Sequence, residues 1–135
     1  MPTGPVPERL DAFLRDPHPA VVATLREDGS PVSVATWYLW RGDRYWLSMD
    51  RDGPRARNVV RDPRVSLTVL GDDWYDHVSV RGRVVQMRPD PDGVDIDQIS
   101  RHYRGVPYPR EAGFSPLSAV VLVDSWHEFV SETKT

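Results

Sequence analysis

The sequence predicts a mainly β domain, a small antiparallel barrel of six or so strands with about three short helices inserted. Three observations predict it. Short apolar, β-branched runs alternate with Gly, Pro and Asp turn chemistry along most of the chain. There is no βαβ alternation and no G-x-G-x-x-G, which argues against a doubly wound nucleotide-binding sheet. Gly82 sits inside a long strand pattern, where it marks the bulge or sharp curl that closing a small barrel requires.

The elements follow in order. Pro7-Glu8-Arg9-Leu10 opens a helix, with Leu10, Phe13 and Leu14 at i, i+3, i+4 and Asp16-Pro17 ending it. Ala20 to Arg26 is a strand, and Glu27-Asp28-Gly29-Ser30-Pro31 is a turn in which Asp-Gly supplies the tight bend. Val32 to Trp40 reads as a second strand, Arg41-Gly42-Asp43-Arg44 as a second turn and Tyr45 to Met49 as a third strand. Three strands joined by two short turns predict a meander.

A helix is expected from about Pro54 to Arg61, since Pro suits a first helical turn and Asp62-Pro63 stops one. Ala56, Val59 and Val60 are its expected inward residues. Arg64 to Leu70 is a fourth strand with Val65, Leu67 and Val69 on one face, and His77 to Arg88 a fifth. Asp92 to Arg104 is helical, with Ile96, Ile99 and Tyr103 on one stripe. Gly105 to Gly113 is a loop with two prolines, and Leu117 to Val130 a strand pair or one long bent strand.

In Val32 to Trp40, Val32, Val34, Tyr38 and Trp40 face one way while Ala35, Trp37 and Leu39 face the other. Both faces are apolar. Either a partner chain or this chain's own helices must cover the outer one.

Composition bounds the function. The 135 residues amount to one domain, residues 1–135, by the length prior. A net charge of −3 argues against a general nucleic-acid binder. Without cysteine there is no disulfide and no thiolate metal site. Met1 to Asp16 carries no apolar signal-peptide core, and no apolar run approaches the roughly 20 residues of a membrane span, so the expected location is the cytoplasm. Lys134 is the one lysine among 17 basic residues and Asn58 the one asparagine, a bias of GC-rich coding.

The sharpest local feature is Arg51-Asp52-Gly53-Pro54-Arg55-Ala56-Arg57-Asn58. It places guanidinium groups beside an expected helix N-terminus, where orphan amides and the dipole already favour an anion. Arg adds a planar fork that matches phosphate oxygens. The alternative is a solvated helix whose arginines pair with Asp50, Asp52 or Asp62. Aromatics are the second feature: Trp40 and Trp46 suit the barrel core, while Trp74 and Tyr75 sit in a polar link and read as an interface or ligand-covering loop. His18, His77, His102 and His127 lie at no metal-ligand spacing, and there is no G-x-S-x-G elbow. With no evident acid, base or nucleophile, an enzyme on this chain would rely on a bound cofactor.

Ala23-Thr24-Leu25-Arg26-Glu27-Asp28-Gly29-Ser30-Pro31, then Trp37-Tyr38-Leu39-Trp40, then Arg55-Ala56-Arg57-Asn58-Val59-Val60-Arg61-Asp62-Pro63-Arg64-Val65 resemble the pyridoxamine 5'-phosphate oxidase-like (PPOX-class) split-barrel family. The likeness is greatest to its actinobacterial branch, which uses the deazaflavin F420. It runs from about Ala20 to Gly82 and more loosely to Phe129.

The resemblance implies a six-stranded, Greek-key-like split β-barrel, a homodimer with two cofactor sites across the subunit interface. It implies Arg55 as the phosphate ligand, where Lys is commoner, with Arg57 and Asn58 on the R-N pair. Ser33, Val34, Ala35, Thr36 and Trp37, with Ser48 and Met49, would border the ring and ribityl chain. Trp74 and Tyr75 would come from the other subunit. Gly53 stands where some members carry a further basic residue, a loss that Arg51 would offset. The implied chemistry is hydride transfer from reduced F420 to a small electron-poor acceptor, by positioning. FMN is the alternative cofactor, and a non-catalytic flavin, deazaflavin or haem binder the alternative class.

Overall fold

The computed structural model describes residues 2–130. It contains three helices, α1 (Glu8–Arg15), α2 (Pro54–Arg61) and α3 (Val94–Arg104). Seven strands accompany them: β1 (Ala20–Leu25), β2 (Pro31–Thr36), β3 (Leu39–Trp40), β4 (Arg44–Asp50), β5 (Arg64–Leu70), β6 (His77–Pro89) and β7 (Pro116–Phe129). The strands form one antiparallel sheet in the order β2-β1-β5-β6-β7-β4-β3. The sheet thus has seven strands where six were expected.

Two expectations are corrected by this order. The run from Val32 to Trp40 is not one strand, and the first three strands are not a meander. β2 and β3 lie at opposite edges of the sheet, each paired only with its hairpin partner, β1 or β4. The physical reason is visible in burial. Tyr38, Leu39 and Trp40 are all buried, whereas every residue of β2 keeps some exposure to solvent. Trp37 and Tyr38 form the passage between the two edges. The Tyr38 hydroxyl donates to the carbonyl oxygens of Leu14 (2.9 Å) and Asp16 (3.2 Å), and Trp40 Nε1 donates to Asp11 Oδ1 at 2.8 Å. The chain's own helix α1 covers these aromatics, so they need no partner chain. β2, in contrast, is largely exposed, Val34 included.

The curl at Gly82 is present. The β6–β7 register shifts between Arg81 and Gly82, and a Cβ at Gly82 would overlap the Leu122 carbonyl. A second shift, between Val84 and Gln86, bends the long pair further. The curl brings β1 and β4 round toward each other without pairing them, and α2 packs against both. That unpaired seam is the split in the barrel. The core within it is made of alternate residues such as Val22, Leu47, Leu67, Val80 and Val121, with Leu14 of α1 inserted at one end.

Two further details depart from the sequence reading. Val60 faces solvent, 72% exposed, while Ala56, Asn58 and Val59 make the buried face of α2. Helix α3 begins at Val94 rather than Asp92. Gly93 precedes it with φ +70°, and the Asp90 carboxylate accepts the amides of Asp95 (3.2 Å) and Ile96 (3.0 Å), capping the helix from outside. Among the described residues no helix is long and apolar enough to cross a membrane.

Candidate functional site: a cleft along the open seam

A cleft of about 1230 Å³ follows the seam. Its walls come from β1, β2, the end of β4, helix α2, helix α3 and the loop after α3. At one end stands the N-terminus of α2. Gly53 is its N-cap, no side chain caps it, Pro54 is in its first turn and no acidic residue lies there. The other two helices each carry two acids in the first turn, Glu8 and Asp11 in α1, Asp95 and Asp97 in α3. Helix α2 therefore leaves its first amides and its positive dipole end open to an outside anion.

Arg55 sits at this spot, half-buried and lining the cleft, with no ion pair or hydrogen bond among the described residues. Burial pushes its guanidinium below its ordinary value, since the charged form loses water and gains no counter-charge. The neighbouring acids do not supply one. Asp62 pairs with Arg64 at 2.7 Å, and Asp52 lies 3.9 Å from Arg51. Asp50 Oδ1 accepts the amides of Asp52 (3.2 Å) and Ser115 (3.4 Å). The pairing pattern thus leaves Arg55 as an unmatched cation.

The other basic residues of α2 are partly committed inside the protein. Arg57 Nη1 donates to the Asp52 carbonyl at 2.8 Å, and Arg61 Nη2 donates to the Leu25 carbonyl and Asn58 Oδ1, both at 3.0 Å. Asn58, only 8% exposed, donates from Nδ2 to Thr24 Oγ1 at 3.2 Å. Asn58 thereby ties α2 to β1 and holds one side of the seam.

Of the residues expected at a site, the structure brings Val34, Ala35, Thr36, Trp37, Ser48, Met49, Arg55, Arg57 and Asn58 to this one cleft. Ser48 Oγ is buried there with no hydrogen-bond partner. Four others stand outside it. Ser33 is exposed on β2, and Arg51 is exposed beside Asp52. Trp74 and Tyr75 lie in the β5–β6 turn, at the other end of β5 from α2, 68% and 50% exposed. There Tyr75 packs edge-on against Phe129, with ring centroids 5.0 Å apart.

The sequence reading named no site residue on α3. Ile96, Ile99, Tyr103 and Arg104 line the cleft, as do Tyr108 and Phe114. Trp37 stacks on Tyr103 at 5.2 Å between ring centroids, and the Arg104 guanidinium also lies 5.2 Å from the Trp37 ring. The available signal was the concentration of Tyr103, Tyr108 and Phe114 around two prolines. Arg26 also lines the cleft, exposed at the end of β1. No group of three or more His, Cys, Asp or Glu side chains that could hold a metal is present among the described residues.

Known proteins share this architecture. The chain matches an F420 reductase structure at 28% identity with a TM-score of 0.82, covering 90% of this chain and 98% of that one. A conserved hypothetical protein from Mycobacterium tuberculosis matches at 21% identity and TM-score 0.74, over 94% of this chain and 86% of that one. General Stress Protein 26 from Bacillus anthracis matches at 14% and 0.68, over 90% and 91%. The last two likenesses speak for the fold alone. The profile of the pyridoxamine 5'-phosphate oxidase family matches residues 6–127, and with the seam, the bridging helix and the split sheet in place, the chain belongs to that family.

Proposed function

We propose that this chain is an F420-dependent reductase that works as a homodimer. The observation that carries the reading is Arg55: a half-buried guanidinium with no internal partner, at an uncapped helix N-terminus that opens on a large cleft. A phosphate would meet both the fork of Arg55 and the free amides of α2. The F420 reductase similar to this chain over nearly its full length supports the choice of cofactor. Arg26 on the cleft rim supports it too, since the deazaflavin tail carries carboxylates that FMN lacks.

Reduced F420, when bound, supplies a hydride. The chain's own residues do the rest. Arg55 anchors the anionic end, and Arg57 and Asn58 hold the helix that presents it. Ser48 Oγ, unpartnered in the cleft wall, offers a hydrogen bond to a polar chain passing over β4. Trp37 has one face on Tyr103, so it serves as a wall of fixed tilt. The apolar β1 and β2 residues exclude water from the space between. The exposed β2 edge, with Trp74 and Tyr75, suits a second copy of the chain.

Fluorescence titration tests the reading. Saturable micromolar binding of F420 with no retention of FMN is the expected result. Protein that purifies yellow with FMN, and shows no F420 binding, replaces the reading with an FMN-dependent one. Tight binding without turnover across quinone, enone and nitro acceptors would leave a carrier instead of an enzyme.

A further inference from the structure

Helix α1 closes one end of the barrel, and the chain that leaves it runs straight into the wall of the cleft. Leu10 and Leu14 enter the core, and Phe13 stacks on His18 with ring centroids 4.1 Å apart. Pro17 and Pro19, in the connector from α1 to β1, line the cleft. Two tyrosines hold that connector. The Tyr38 hydroxyl donates to the carbonyls of Leu14 and Asp16, and the Tyr103 hydroxyl to that of His18. The two rings also meet each other, edge-on with centroids 6.4 Å apart, and the Tyr38 amide donates to the Tyr103 oxygen at 3.4 Å. Burial pushes both hydroxyls above their ordinary range, so both stay protonated donors at neutral pH.

The interior is least well satisfied at this same end. His18 Nε2, the Tyr45 hydroxyl and Trp126 Nε1 are buried without a hydrogen-bond partner. Each adjoins α1 or the segment that leads into it. His18 does so through the Phe13 stack. Tyr45 stacks on Trp40 at 6.5 Å, and the Trp40 indole is bonded to Asp11 of α1. The Trp126 amide donates to the Pro2 carbonyl at 3.1 Å. A buried polar group without a partner regains its hydration when it is uncovered, so local opening costs least where such groups gather. Helix α1 has eight residues and no side-chain cap at its N-terminus, too short to persist as a helix once it leaves the barrel.

We propose that α1 is a docking element coupled to the cleft: it undocks while the rest of the barrel stays folded, and its docking and the binding of a molecule against Trp37 stabilise one another. The coupling runs through the two tyrosines. A ligand that fixes Trp37 also fixes Tyr103, which stacks on it, and Tyr38, the next residue in the chain. Their hydroxyls then hold the carbonyls of residues 14, 16 and 18, which are the end of α1 and its connector. Undocking of α1 breaks the same three bonds and takes away the support behind Trp37. Because both events share one set of bonds, the effect of each on the other is equal in free energy. For the ligand, the coupling rests on the F420 reading; the mechanical link between α1 and α3 does not.

Hydrogen exchange on the full chain, followed residue by residue, tests this. Phe13→Ala loosens α1 from outside the cleft, and Phe13→Leu, which loses the stack and keeps an apolar side chain, serves if the alanine variant does not fold. In the wild type the amides of α1 are expected to exchange at least about tenfold faster than those of β5. Without any ligand, the Phe13 variant should speed exchange in α1 and at the Gly105 amide, which closes the last turn of α3 on the Arg101 carbonyl, and leave β5 unchanged. F420 at saturation should slow exchange in α1 about fivefold or more, and the Phe13 variant should weaken F420 by up to the same factor. Tyr38→Phe keeps the ring and removes its donor, so the F420 effect on α1 should shrink severalfold. A Tyr38 that served stability alone would lower the melting temperature and leave that effect intact, which would overturn the proposed route. Exchange of α1 only together with β5, or a Gly105 amide indifferent to the Phe13 variant, overturns the proposal whether or not F420 binds. Absence of F420 binding, with Gly105 responding as expected, would overturn the cofactor reading alone.

Discussion

Trp37 and Tyr103 stack with their ring planes 14° from parallel, which joins the end of β2 to the last turn of α3. The Tyr103 hydroxyl continues the chain of contacts to the His18 carbonyl at 2.7 Å, just before β1. One side chain thereby holds the roof of the cleft to both of its strands. Tyr103→Phe keeps the stack and leaves the His18 carbonyl without its donor. The expected cost is about 1 kcal/mol, and Tyr103→Ala, which removes the stack as well, should cost about 3 kcal/mol. Urea unfolding of the two variants measures both. Equal losses would mean that the ring contributes nothing beyond its hydroxyl.

Arg55 should trade stability against binding. Burial holds its guanidinium below the ordinary pKa, so the folded chain disfavours the charge. Arg55→Gln removes that unpaired charge and breaks no internal bond. The melting temperature is expected to stay level or rise, while F420 affinity falls about tenfold to a hundredfold. A melting temperature that drops together with affinity would show that Arg55 serves the fold.

Gly82 has no room for a side chain. An added Cβ would overlap the Leu122 carbonyl on the paired strand, where backbone must move. Gly82→Ala is expected to cost about 3 kcal/mol or more, or to abolish soluble expression. Near wild-type unfolding behaviour would mean that the β6–β7 curl is far softer than the register shift suggests.

The loop after α3 should loosen in acid. The hydrogen bonds from Arg110 hold the Asp97 carboxyl below its ordinary value of 3.8, with the Tyr108 amide adding to the effect. A depressed folded pKa contributes stability that is present above 3.8 and is lost as pH falls through the lower, folded value. Hydrogen exchange at the Tyr108 amide should therefore stay slow through neutral pH and lose protection below about pH 4. In Asp97→Asn the protection should be weak at every pH. An acid response that survives Asp97→Asn would assign the effect to another carboxylate.

Sedimentation equilibrium should give twice the 15.4 kDa chain mass. A monomer at micromolar concentration would leave β2, Trp74 and Tyr75 as plain solvent-facing surface.

Local pattern sufficed for much of this molecule. The helix over Pro54–Arg61 and the strand over Arg64–Leu70 were legible to the residue, because Pro, Asp-Pro and strict alternation act over a few neighbours. The same holds for the curl at Gly82 and for the guanidinium at a helix N-terminus, both consequences of single residues in short context. Tertiary structure alone decided where Tyr38 to Trp40 belong, because apolar side chains report that they will be covered and not by what. It decided which arginine stays unpaired, since Arg51, Arg55 and Arg57 are alike in sequence and differ only in which oxygens lie near them. It also brought Tyr103, Tyr108 and Phe114 to a cleft whose other wall lies some seventy residues earlier in the chain. Such contacts are set by closure of the sheet, a long-range event that no local period records.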